Sequence, residues 1–104
     1  MNDIEYNDNL AAQLSIKTEI GRKALALALR NIQTLDKKQQ DYGPDNIAKH
    51  GEFGVLVRCD DKTARLANLL KQDRPQNESQ LDSWLDLANY GLIGAMCHLN
   101  QWSV

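Results

Sequence analysis

Two stretches of the 104-residue chain concentrate the side chains able to do chemistry. In one, Arg58, Asp61, Lys62 and Arg65 fall at steps of three, four and seven, which puts all four on one face of an α-helix. In the other, Glu78, Asp82, Asp86 and Asn89 form a matching stripe of three carboxylates and an amide. Paired across two antiparallel helices, the stripes would line a shared groove at the edge of a core. Three kinds of work suit that groove. Arg58, Lys62 and Arg65 can grip the phosphates of a nucleotide or nucleotide-derived signal, with Asp61 and Asn89 as supporting polar groups. Glu78, Asp82 and Asp86 can instead present oxygens to a Mg²⁺ ion for phosphohydrolysis, because Mg²⁺ prefers oxygen ligands and bridges to phosphates. Otherwise the stripes only pair with each other, and the chain is a non-catalytic protein-interaction module.

A few aromatic and imidazole groups could add to a binding site. Tyr42, in a turn, can stack on a base, and His50, beside a glycine, can touch a base or phosphate. Trp84 serves equally as a core filler, and His98 suits the negative end of a helix dipole. Cys59 and Cys97 have no Cys or His at metal-ligand spacing, and both are expected reduced and buried. The chain has no phosphate-binding glycine loop of the P-loop or dinucleotide type, no nucleophile elbow and no zinc ligand set.

These residues need helices to hold them. Asn9 to Lys38 is free of proline and rich in helix formers, with Leu25, Leu29, Ile32 and Leu35 at spacings of three and four. It reads as one long helix or two in series, with Ser15 to Thr18 and Gly21 as the place for a break. Ala24 to Leu29 is apolar on every side, which predicts burial against more than one neighbour and hence a homo-oligomer. Gln39 to Gly51 reads as a loop, because turn formers gather around Pro44. A second helix is expected from about Glu52 to Lys71, with Val55, Leu56, Cys59, Leu66, Leu69 and Leu70 inward. After a connector from Gln72 to Asn77, Asn77 caps a third helix with Gln80 three residues on. Leu81, Leu85, Ala88 and Leu92 are its expected buried stripe, running to about Leu99. The fold class is therefore all-α: one domain over residues 1–104, a small helical bundle completed by oligomerisation.

Charge and hydropathy narrow the partners. Twelve Lys and Arg against fourteen Asp and Glu leave a net charge of -2, so no global basic field exists to hold duplex nucleic acid or an anionic membrane. The N-terminus lacks the basic and apolar regions of a signal peptide. No apolar run approaches the roughly 20 residues that cross a bilayer. A cytoplasmic protein is expected.

The residues also carry a resemblance. Asp41-Tyr42-Gly43, then Gly51 and Gly54, then Arg58 to Leu66 in the pattern R-x-x-D-K-x-x-R-L, then Glu78 to Tyr90 in the pattern E-x-x-x-D-x-x-x-D-L-A-N-Y, resemble the first nucleotide-modification-associated domain family of phages and bacteria. The resemblance covers about Lys38 to Met96. It implies a nucleotide-related role, a phage connection with residence in the host cytoplasm, and the possibility that a host signal nucleotide is sequestered. The acidic helix is also similar to that of the MazG-type all-α nucleotide pyrophosphatases. Those carry a second acidic pair on an earlier helix, where this chain has only Glu19 beside Arg22 and Lys23, and Asp36 beside Gln39 and Gln40.

Overall fold

A computed structural model describes residues 2–72 and 79–102. The expected cap at Asn77 and the acidic Glu78 lie outside the described residues. Among those described, the chain is all-helical with no strand: α1 (Asp3–Gln13), α2 (Glu19–Tyr42), α3 (Asp45–Ala48), α4 (Gly51–Leu70) and α5 (Ser79–His98). It divides into two compact units, Met1–Lys37 and Lys38–Val104, with α2 running from one into the other.

In the first unit the expected break occurs, and it lies ahead of Gly21. The Asn2 side chain caps α1 by accepting from the Glu5 N–H at 2.8 Å. The helix closes as the Ile16 N–H reaches back to the Ala11 carbonyl, with Ser15 in the left-handed region at φ 59°. Thr18 then starts α2, its Oγ1 accepting from the Gly21 N–H at 2.9 Å. Glycine is needed there for space: a Cβ on Gly21 would sit 2.8 Å from Ile16 Cγ2 and 2.9 Å from Thr18 Oγ1. The Ala24 to Leu29 segment is not enclosed, since Ala24, Leu27 and Ala28 face solvent.

The structure corrects the loop expected at Gln39 to Gly51. Helix α2 continues through Tyr42, and Asp45–Ala48 forms the short α3. Pro44 restricts only the residue before it, so Gln39, Gln40 and Asp41 remain free to stay helical. The stop is Gly43, at φ +69°, whose N–H bonds the Gln39 carbonyl at 2.8 Å. Replacing Gly43 by alanine should therefore cost about 1 kcal/mol, read as a lower denaturation midpoint with an unchanged slope.

In the second unit α3 packs on α4, and α4 pairs antiparallel with α5. The register is set by Val55 against Gly94 and Lys62 against Asp86. Among the described residues, Ile47, Val55, Leu66 and Ile93 are the buried apolar residues here, alongside the polar Ser83 and Asn89. The Trp102 indole N–H donates to the Pro44 carbonyl at 3.0 Å and ties the segment after α5 to the α2–α3 turn.

Several expected core positions face outward. On α5, Leu81 is 57% and Leu92 47% exposed, Ala88 is exposed and Leu85 only half-buried. On α4, Leu56 and Leu70 are exposed and only Val55 and Leu66 are buried. The rotation of α5 follows the other side of the helix: small Ser83 and Gly94 allow close approach to α4, and Asp86 meets its lysine there. Cys59 and Cys97 are free thiols, half-buried instead of buried. Among the described residues no helix is long and apolar enough to cross a membrane.

Candidate functional site

The helical pairing brings Lys62 of α4 onto Asp86 of α5, Nζ to Oδ2 at 2.9 Å. A third element joins them, because the last turns of α2 place Lys38 Nζ 3.1 Å from Asp86 Oδ1. Each carboxylate oxygen thus holds its own ammonium group. The Lys62 and Asp86 side chains are only 22% and 25% exposed, so water screens this pair less than a surface bridge. Burial pushes the Asp86 carboxyl upward, but hydrogen bonds from Lys62 and then Lys38, with their positive charge, outweigh it and hold its pKa below the ordinary carboxylate value.

Arg58 lies one helical turn before Lys62 on the same face, half-buried, and makes no ion pair among the described residues. The register that sets Lys62 opposite Asp86 puts Arg58 level with Tyr90, the residue after the buried Asn89. Two ammonium groups, Lys38 and Lys62, share the one carboxylate of Asp86, with Arg58 one turn from Lys62 along α4 and Asp82 one turn from Asp86 along α5.

The remaining sequence candidates are distributed differently. Arg65, Asp61 and Asp82 are exposed and form no ion pair among the described residues. Tyr42 is exposed as the last residue of α2, and His50 is exposed at the N-cap of α4. Trp84 lies on the outward side of α5, half exposed. His98 Nδ1 approaches Glu52 Oε1 at 3.3 Å, linking the end of α5 to the start of α4, with both side chains well exposed. For the magnesium reading, Asp86 is already shared by two ammonium groups and Glu78 lies outside the described residues. Among the described residues no three His, Cys, Asp or Glu side chains are placed to hold a metal ion.

Lys38 is the member of the cluster that sequence reading missed. It is 48 residues from Asp86 and shares no helix face with the R-x-x-D-K-x-x-R stripe, so no spacing rule could bring them together.

Set against known proteins, the chain matches no family model, no curated protein and no solved structure.

Proposed function

We propose that this chain binds a nucleotide or nucleotide-derived signal through its phosphates, with Arg58, Lys62 and Lys38 as the grip. The observation that supports it most is that two lysines from different helices, Lys38 and Lys62, gather on the single carboxylate of Asp86 in a partly shielded seam. Asp86 keeps the two lysines apart and oriented, while Arg58, with no carboxylate of its own among the described residues, is available to a phosphate. Arg65, exposed one turn beyond Lys62, can meet an outer phosphate, and Tyr42 and His50 are candidates for the base. The resemblance read in the motifs, the phage connection, the cytoplasmic setting and sequestration without turnover belong to this proposal. Hydrolysis is the weaker version, because a Mg²⁺ ion at Asp86 would have to displace two cations first.

The test is a set of thermal melts and titrations with mono-, di- and cyclic nucleotides. At least one nucleotide should raise the melting temperature of the native protein. Arg58→Gln should then weaken its binding by roughly ten- to hundred-fold, the equivalent of one charge-assisted contact, while the free variant melts close to the native protein. A panel in which no nucleotide shifts the melt, or an Arg58→Gln variant that binds as tightly as the native chain, removes the proposal.

A further inference from the structure

Helix α5 is nearly without charge. From Ser83 to Cys97 its one charged residue is Asp86, which faces α4 and is held by Lys62. A helix this apolar around its circumference is one that packs on more than one side. Away from α4, Leu81, Trp84, Ala88, Leu92, Ala95 and Leu99 recur at steps of three and four and are all exposed, Leu92 at 47% and Leu99 at 61%. Leu99 belongs to the same ladder, since its N–H bonds the Ala95 carbonyl at 3.0 Å. The stripe is therefore ~27 Å long at ~1.5 Å per residue.

The order of sizes along this stripe decides what fits it. Leu81 and Leu99, Trp84 and Ala95, and Ala88 and Leu92 are each equidistant, to within one residue, from a centre at Tyr90. Two copies of α5 laid antiparallel across a two-fold axis at that level bring these pairs together. Trp84 then lies over Ala95 of the partner subunit, Leu92 over the partner's Ala88, and Leu81 against the partner's Leu99. Large meets small through the middle of the contact, which lets the two helices interdigitate. Such self-complementarity is what an isologous two-fold contact requires, and a partner of unrelated sequence has no need of it.

The surroundings of the stripe agree. Trp84 and Gly91, seven residues apart, share one of its flanks, and a two-fold axis keeps that flank on the same side in both copies. The partner's Trp84 thus falls beside Gly91, where a Cβ would meet nothing within 4 Å. Gly91 opens a groove of about 460 Å³ between α4 and α5, whose lip is Phe53 and Leu56, 74% and 56% exposed. The stripe exposes roughly 500–600 Å², and the two lip residues raise this to roughly 800 Å², the share that each partner gives to a standard interface.

We infer that the outward face of α5 is a dimer interface: two copies of this chain pair antiparallel from Leu81 to Leu99, each seating its Trp84 over Ala95 of the other at the mouth of the groove. The contact lies wholly in α4, α5 and the turn after it. It uses no member of the Asp86 cluster, so it stands or falls separately from nucleotide binding.

Sedimentation velocity at micromolar concentration should give the native chain a mass of about twice 11.7 kDa. Leu92→Glu sets a carboxylate in both halves of the contact and should weaken association by at least about a hundredfold, with helical circular dichroism unchanged because the site is half exposed in the single chain. Ala88→Leu sets leucine against leucine and should weaken association about tenfold. Ala88→Leu combined with Leu92→Ala exchanges the two sizes and should recover the native affinity to within about threefold. A monomeric native chain, a Leu92→Glu variant of native mass, or a double variant that associates no better than Ala88→Leu would each overturn the inference. Should Leu92→Glu lose its helical signal, the native chain carries the test. Trp84 is covered in the pair and 50% exposed alone, so tryptophan emission should move to the red as dilution halves the mass. Emission that stays fixed while the mass halves overturns the inference as well.

Discussion

Truncating Leu66 to alanine should cost about 2–5 kcal/mol, enough to remove much of the stability of a unit this small. Leu66 is 3% exposed, one of four buried apolar residues among the described residues from Lys38 onward, the others being Ile47, Val55 and Ile93. The cost combines the lost transfer energy of the side chain with the cavity left between α4 and α5, which two antiparallel helices can close only by shifting the register that Lys62 and Asp86 hold. Leu70, on the same helix and equally apolar, is 60% exposed, and its replacement by alanine should cost less than about 1 kcal/mol. Urea denaturation of both variants provides the measurement. Equal losses would mean that α4 does not turn Leu66 inward and Leu70 outward.

Asp86→Asn is the second large effect, and its signature is in the pH dependence. The substitution keeps the shape but removes the charge that both Lys38 and Lys62 bind, leaving the mostly buried Lys62 ammonium without a counter-ion. A fully buried pair broken this way costs ~3–5 kcal/mol, and the partial exposure here argues for the lower side, about 2–3 kcal/mol near neutral pH. The sign follows from linkage. Asp86 has its pKa lowered by folding, so its stabilisation is fully present above the ordinary carboxylate value of 3.8 and is lost as pH falls through the lower folded value. Melting temperatures of native protein and variant should therefore differ most near neutrality and converge in acid below that value. A gap that stays constant from about pH 7 to below pH 3 would show that the carboxylate charge is not what the seam uses.

Helices were legible in this sequence because their evidence is local. Leu25, Leu29, Ile32 and Leu35 mark α2 by spacing alone, and the absence of proline through Lys38 lets it run. The break at Ser15 to Thr18 was visible too, since serine and threonine compete for backbone hydrogen bonds and then cap the helix that follows. The end of α2 was misplaced by a few residues, because Tyr42-Gly43-Pro44 signals that the chain turns without saying on which residue the last helical hydrogen bond falls. Within the polar stripes, the R-x-x-D-K-x-x-R pattern marked Lys62 and the E-x-x-x-D-x-x-x-D pattern marked Asp86. The structure pairs those two and leaves Arg65 and Asp82 exposed.

Composition and periodicity by themselves determined that the chain is helical, where most of its helices lie, and which residues share a face on each. Only the tertiary structure decided which face turns inward. Rotation about a helix axis is set by what the neighbouring helix offers. On α5 the offer was Lys62 for Asp86, Val55 against the bare Cα of Gly94, and room for Ser83 at 1% exposure, together outweighing the burial of Leu81, Ala88 and Leu92. Lys38 reached Asp86 for the same reason. A contact across 48 residues depends on how three helices meet in space, and the period of a single helix contains no information about it.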